Sequence, residues 1–246
     1  TFLAAMSHEL RTPLNGVLGA ARLLLDSPTE ADRKIYTEVI ADSGEILLEM
    51  INNVLDLTSF ESGNVQLESV RSNLRRLVNE TLSPLRFQAQ NKNLSLISQV
   101  ADSVPAYVMI DPIRMRQIII NLLGNSIKFT NQGGIKLDVD LLGERLRFKV
   151  TDTGIGISKE DQSTLFEPYV RTKHTIVNDY VGSGLGLSIV KTLVSAMDGE
   201  ISLLSVEGEG STFTISLPYQ PAEIEAAPPA RPYTDIQSVC SGGACS

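Results

Sequence analysis

Cysteine is almost missing from this sequence. Its two copies, Cys240 and Cys245, sit together in a Ser/Gly/Ala-rich tail, where no core can depend on them. A lone C-x4-C without histidines is a poor metal site, so neither a disulfide framework nor a thiolate metal centre organises the chain. The cysteine-free body is compatible with a reducing cytoplasm. Basic residues are outnumbered, 21 Lys and Arg against 29 Asp and Glu, giving a formal charge of −8. That balance argues against non-specific nucleic-acid binding. It leaves room for a nucleotide, whose phosphates can be held by backbone amides at helix starts. No run approaches the roughly twenty apolar residues of a membrane helix, and internal repeats are absent. A signal peptide is lacking too: Thr1 to Met6 already fits the phase of the first helix, so the chain reads as beginning inside a longer helix.

What remains is the composition of a soluble globular protein, 42% hydrophobic and 20% charged, with 246 residues for one large domain or two modest ones. Histidine is as scarce as cysteine, so the placement of His8 carries weight. It lies in Met6-Ser7-His8-Glu9-Leu10-Arg11-Thr12-Pro13-Leu14, beside an acidic residue. Leu10, Leu14, Val17, Leu18, Ala21, Leu24 and Leu25 follow in three- and four-residue steps and mark one helix face. His8 is off that stripe, so its ring is expected toward solvent. Pro13 has no N–H to give the Glu9 carbonyl, which predicts a bend just past the histidine. An exposed imidazole on a bent helix can present a nucleophile to something large. It can equally be a surface histidine of a bundle helix.

The first helix should end near Asp26. Ser27-Pro28-Thr29-Glu30 predicts the next start, with serine as cap, proline first and glutamate closing a capping box. The second helix runs to about Glu61 with Ile35, Val39, Ser43, Ile46, Leu47, Met50, Val54 and Leu57 on one side. Such an antiparallel hairpin leaves apolar surface in water, which predicts pairing of two copies as a four-helix bundle.

Ser62-Gly63-Asn64 ends this unit, and from Val65 helical and strand patterns alternate, implying a separate α/β domain. The pattern predicts a helix over Leu74 to Asn91 interrupted near Pro84, a strand over Leu94 to Val100, and a helix capped by Asp111-Pro112 reaching Phe129. A hairpin follows over Ile135 to Leu142 and Leu146 to Thr151. Ser158 to Ser183 holds one short helical piece. A helix from Leu185 to Met197 meets a glycine stop at Gly199, and strands Ile201 to Val206 and Thr212 to Leu217 close the domain. Residues 219–246, rich in Ala, Pro and Glu and then in Ser and Gly, read as a flexible tail or linker.

Three glycine clusters fall at element boundaries: Asp152-Thr153-Gly154-Ile155-Gly156, Gly182-Ser183-Gly184-Leu185-Gly186-Leu187, and Gly208-Glu209-Gly210-Ser211-Thr212. Each alone is a glycine turn. The second opens a helix, an arrangement suited to phosphate, although its G-x-G-x-G spacing misses the dinucleotide fingerprint. More specific is Asn121-Leu122-Leu123-Gly124-Asn125-Ser126-Ile127-Lys128-Phe129-Thr130. Asn121, Asn125 and Lys128 share one helix face, and amides beside a lysine suit phosphates and a hydrated Mg²⁺, which takes oxygen ligands.

His8 to Pro13 resembles the H box of sensor histidine kinases. Asn121 to Thr130 resembles their N box, Asp152 to Gly156 the first G box, Leu165-Phe166-Glu167-Pro168 the F box, Gly182 to Gly186 the second G box, and Gly208 to Gly210 the turn often counted as a third. The motifs stand in family order over residues 2 to about 218, most like the kinase core of hybrid sensor kinases. The resemblance implies an α + α/β chain: a helical hairpin over residues 1–63 forming a dimeric four-helix bundle, then over 64–218 a Bergerat-type ATP-binding sandwich, a mixed sheet covered by helices, of the kind shared with Hsp90, type II topoisomerases and MutL. It implies an autokinase that takes phosphate from ATP with Mg²⁺ and hands it to a receiver-domain aspartate, in cis or in trans, and that can dephosphorylate the receiver. By the same habit, the chain would be the cytoplasmic portion of a membrane-anchored sensor.

Carried over by position, His8 would be the nucleophile and Glu9 would bond its other ring nitrogen. An unperturbed imidazole, with a pKa of about 6.5, is largely neutral at cytoplasmic pH and fits that role. Arg11 would neutralise phosphate charge, and Thr12 matches the position that places water for dephosphorylation. Asn125 would ligate Mg²⁺ with Asn121 in support, and Lys128 would reach the phosphates. Asp152 would accept from the adenine amino group, beside Gly154 and Gly156. Gly182, Gly184 and Gly186 would close over the triphosphate, with Leu187 and, from the last turn, Thr212 counted with them. Phe166 would brace the lid, where Arg171 and Lys173 could touch phosphate. His174 has no motif around it and reads as an exposed lid residue. Ser126, where alanine is usual, and Tyr169, where phenylalanine is frequent, are conservative departures. A catalytically weak ATP-gated scaffold and an ATPase clamp of the Hsp90 or MutL kind are the competing readings.

Overall fold

The computed structural model describes residues 2–26, 29–61, 67–168, 184–219 and 221, and of residues 2–9, 49 and 52–61 the backbone alone. Helices α1 (Phe2–Leu25) and α2 (Glu30–Glu61) lie side by side as a hairpin. Pro13, Ala20 and Met50 are buried in this unit. At Gly16 the helices come so close that a Cβ would stand 2.8 Å from Ser43 Oγ. α1 runs on through Pro13.

The cap of α2 differs from the expected one. The helix begins at Glu30, and the reciprocal pair is Thr29 with Asp32: the Asp32 N–H donates to Thr29 Oγ1 at 3.3 Å and the Thr29 N–H to Asp32 Oδ2 at 3.2 Å. The sequence offers the same hydroxyl-x-x-acid box in two registers, and the later one is used. Ser27 and Pro28 lie outside the described residues.

The second unit comprises β1 (Val70–Asn73), α3 (Leu74–Asn91), β2 (Ser95–Val100), β3 (Tyr107–Ile110), α4 (Pro112–Phe129), β4 (Gly134–Leu142), β5 (Arg145–Asp152), α5 (Lys159–Gln162), α6 (Gly186–Ala196), β6 (Glu200–Val206) and β7 (Gly210–Pro218). Five strands form a mixed sheet in the order β2-β4-β5-β7-β6, parallel between β2 and β4 and antiparallel elsewhere. Alternation sends Ile135, Leu137 and Val139 of β4, Leu146, Phe148 and Val150 of β5, and Phe213, Ile215 and Leu217 of β7 to one face. There they share a core with Leu74 and Leu82 of α3, Met115 and Leu122 of α4, and Ile189 and Leu193 of α6. Leu10 of α1 touches this core as well. The other sheet face is polar and carries the bidentate Arg147–Asp140 pair, at 2.8 and 2.7 Å. The result is the two-layer α/β sandwich after a helical hairpin that the sequence implies.

Four further features depart from the sequence reading. β1 and β3, unexpected because four residues are too few to display a period, pair antiparallel with Val70 opposite Ile110. α3 is uninterrupted, because Pro84 sits on its exposed side, where the unserved Glu80 carbonyl faces water. The left-handed residue ending α6 is Asp198 (φ 53°), while Gly199 is required by close packing on Leu217. The tail stays on the domain for its first residues: the Tyr219 N–H donates to the Glu144 carbonyl at 2.9 Å, and Pro221 bridges Val108 of β3.

Candidate active site

The end of strand β5 and its loop, helix α4 and the start of helix α6 build the site. At the end of β5, alternation turns Asp152 to the helix face, where it is buried. Its Oδ1 accepts the N–H of Gly154 at 3.0 Å and of Ser211 at 3.2 Å, and its Oδ2 accepts the Ser126 hydroxyl of α4 at 3.1 Å. Burial pushes the carboxyl above its ordinary value of 3.8, against the pull of these three donors. Oδ1 is saturated by backbone. Oδ2 keeps a lone pair for one further donor.

The loop after Asp152 is packed too tightly for side chains. A Cβ on Gly154 would stand 2.6 Å from the Phe129 carbonyl oxygen and 3.0 Å from Thr130 Oγ1, a fully buried hydroxyl with no partner among the described residues. Gly156 combines φ 66° with a Cβ position against the Val206 carbonyl, so both conformation and space demand glycine. Ser205 of β6 ties this loop down: its Oγ accepts the Ile157 N–H at 2.9 Å and lies 2.9 Å from Ser211 Oγ. Gln162 of α5 adds bonds to the carbonyls of Ile157 (2.8 Å) and Ser205 (3.1 Å).

Helix α4 supplies the second wall. Its apolar stripe buries Met115, Ile118, Ile119, Leu122 and Leu123, which leaves Asn121, Asn125 and Lys128 half-buried on the adjoining face. Asn121 Nδ2 donates to the Gln117 carbonyl at 3.1 Å, and its Oδ1 lies 2.8 Å from where a Gly186 Cβ would be. The N box and the second G box thus meet at one point. The Asn125 amide has no hydrogen-bond partner among the described residues. No group of three or more His, Cys, Asp or Glu that could hold a metal occurs among them. One free amide oxygen beside phosphates fits Mg²⁺, which binds through few protein ligands and retains water. Lys128 Nζ lies 5.0 Å over the Phe129 ring. The α4 carboxyl end is held by Lys92 Nζ, which donates to the Ile127 and Lys128 carbonyls at 3.0 and 3.2 Å.

Helix α6 opens at Gly186 with Leu185 as its cap and no side-chain capping bond, and a helix start of this kind suits an anion. Gly184 just before it has φ 65°. Leu185 and Ser188 are buried and Leu187 is half-buried. Phe166 stands edge-on to Phe213, with centroids 6.4 Å apart at 89°.

The structure does not bring every expected residue together. Thr212 projects from the opposite sheet face, in a shallow groove with Asp140, Arg147, Lys149 and Thr214, its hydroxyl donating to Thr151 Oγ1 at 3.2 Å. Ser211, one position earlier, is the residue that faces Asp152; strand alternation is the signal that would have found it. Arg171, Lys173, His174 and Gly182 lie outside the described residues. So do the side chains of His8 and Glu9, whose backbone belongs to α1, on which Arg11 and Thr12 are exposed. Ser126, a conservative departure by sequence, uses its hydroxyl, and no local pattern marks Ser205 or Gln162.

Comparison with known proteins matches residues 1–63 to the His Kinase A (phospho-acceptor) domain and residues 110–221 to the histidine kinase-, DNA gyrase B-, and HSP90-like ATPase. The chain is 40% identical over 231 residues to the autoinducer 2 sensor kinase/phosphatase LuxQ of Vibrio cholerae, covering 92% of this chain and 27% of the relative. To the circadian input-output histidine kinase CikA of Synechococcus elongatus it is 43% identical over 225 residues, covering 89% and 30%. The chain therefore spans under a third of these relatives' length. Among solved structures, full-length ShkA in complex with AMPPNP superposes with a TM-score of 0.70 at 33% identity, covering 89% of this chain and 46% of that one.

Proposed function

The chain belongs to the histidine kinases, and on that premise we propose that it transfers the γ-phosphoryl group of ATP to His8 and then to an aspartate of a receiver domain. A ring-nitrogen lone pair of neutral His8 attacks the γ-phosphorus. The bond to the β,γ-bridging oxygen breaks, and ADP leaves with its electron pair. Glu9 accepts a hydrogen bond from the other ring nitrogen and holds the tautomer. In the second step a receiver carboxylate oxygen attacks the same phosphorus and His8 is the leaving group. Positioning and charge neutralisation do most of the work. Magnesium, when bound, offsets phosphate charge and fixes the triphosphate's geometry.

Asp152 receives the adenine amino group on Oδ2. Asn125 holds Mg²⁺ with Asn121 beside it, Lys128 meets the phosphates, and the α6 amides with Gly182, Gly184, Gly186 and Leu187 enclose them. Arg171, Lys173 and Phe166 serve the lid, and Arg11 serves the transferred group. Thr12, with Glu9, serves receiver dephosphorylation, a reading supported by a relative named a sensor kinase/phosphatase. The hairpin pairs with a second copy: Leu14 and Leu18 on one face of α1 and Ile35 and Val39 on one face of α2 expose 39–54% of their surface, apolar surface unsuited to water.

The observation that carries the reading is the Asp152 carboxylate, buried, with one oxygen satisfied by backbone and the other bonded only by the Ser126 hydroxyl among the described residues. The test is autophosphorylation with γ-labelled ATP and Mg²⁺ in wild type and His8→Ala. Acid-labile, alkali-stable label that disappears in the variant supports the kinase. Label persisting in the variant moves the acceptor elsewhere. ATP binding without label in either protein favours the scaffold or clamp.

A further inference from the structure

Asp111 does two jobs with two different oxygens. Its Oδ1 caps α4, accepting the N–H of Ile113 and of Arg114, each at 3.0 Å. Its Oδ2 accepts the N–H of Glu68, at 3.0 Å, from the segment that joins the hairpin to the sandwich. Glu68 itself is exposed, so water would serve its amide without help, yet that amide is bound to a carboxylate only 5% exposed. The attachment continues from there. β1 pairs with β3 from Val70–Ile110 to Asn73–Tyr107, and the Leu74 N–H reaches the Ala106 carbonyl at 3.2 Å. β3 runs directly into Asp111 and α4, and it also receives the outgoing chain at Pro221.

We infer that Asp111 is a positioning residue that fixes the interdomain segment to the amino end of the helix carrying Asn121 and Asn125, so that the hairpin and the nucleotide are held in one frame for transfer. A single carboxylate is needed because both of its oxygens must accept. Asparagine separates the two roles: its Oδ1 still caps α4, and its NH2 meets the Glu68 N–H donor to donor. The inference rests on the proposed kinase reading for its rate, and the exchange of the Glu68 amide tests the link without it.

The experiment compares wild type, Asp111→Asn and Asp111→Ala by amide hydrogen exchange and by single-turnover labelling of His8. In Asp111→Asn, exchange at Glu68 should accelerate about tenfold or more while Ile113 and Arg114 keep their protection, since one hydrogen bond to a charged group is lost. The labelling rate at saturating ATP should fall about tenfold with KM for ATP within about twofold, the signature of lost positioning. Asp111→Ala should expose all three amides. Unchanged Glu68 exchange in Asp111→Asn overturns the link, and an unchanged rate, or a rate that falls only through KM, overturns the positioning role. Wild type that never labels His8 overturns the kinase reading instead, and the positioning role with it, leaving the exchange result to decide the link alone.

Discussion

The Ser126 hydroxyl donates to Oδ2 of Asp152 at 3.1 Å, joining helix α4 to the end of strand β5. It is the only protein donor on that oxygen among the described residues, and it favours the charged form of a carboxyl whose pKa burial pushes up. Ser126→Ala should raise the carboxyl further. The acid limb of ATP binding should then move to higher pH, with affinity at neutral pH weaker by about 1 kcal/mol. Calorimetric titration across pH checks this, and an acid limb that does not move would show that the hydroxyl has no part in setting Asp152's charge.

Asp152→Asn should separate stability from binding. The native carboxyl is raised above its ordinary 3.8. Its contribution to stability is therefore complete below that value and is lost as pH rises through the native value. At neutral pH the buried charge is a cost. Asparagine keeps Oδ1 for Gly154 and Ser211 and can donate to Ser126, so the variant's melting temperature relative to wild type should be more favourable at pH 7 than at pH 4. ATP affinity should nevertheless drop, because the group facing the base becomes a donor. A pH-independent difference would sink the first half of this prediction.

Gly154→Ala and Gly186→Ala should differ in severity. The first drives a methyl to 2.6 Å from a backbone oxygen, the Phe129 carbonyl, which cannot rotate away. The second meets Asn121 Oδ1 at 2.8 Å, the end of a side chain that can turn. Overpacking costs typically about 1–3 kcal/mol, and thermal unfolding should put Gly154→Ala at the upper end and Gly186→Ala well below it. ATP binding should be weakened by both.

Leu14→Asp combined with Leu18→Asp should make the protein monomeric. Each leucine buried between copies contributes about 1.5–3 kcal/mol, and a charge in its place must be desolvated. Sedimentation of wild type should show a dimer that the double variant fails to form; an unchanged mass would remove this stripe from the interface.

Thr29→Ala should destabilise α2 by about 1 kcal/mol, the ordinary worth of a hydroxyl cap. Ser27→Ala should cost less than a third of that. Reversal of the two in thermal melts would restore the earlier register of the capping box.

Elements whose signal is local were legible in the residues. The three- and four-residue steps of α1, α2, α4 and α6, the Asp111 cap and the glycine boundaries of Gly154, Gly156 and Gly186 all express interactions within one turn or one loop. Thr212 shows where this stops. Alternation from Phe213 puts Ser211 rather than Thr212 on the helix face, but its place opposite Asp152 depends on the β5–β7 register. Ser126 and Asp152 stand 26 residues apart and Glu68 and Asp111 43 apart, and no periodicity records such a partner. β1 and β3 likewise exist only because they pair with each other.

The sequence by itself determined the two-unit order, the helix faces and the family motifs, because backbone periodicity and glycine chemistry act over a few residues. Tertiary structure alone decided that Ser211 lies opposite Asp152, that Ser126 bonds that carboxylate, and that Asp111 spends its second oxygen on the segment entering the domain. Each of those turns on the direction in which a side chain emerges after distant strands have taken their register, and only the folded sheet fixes that direction.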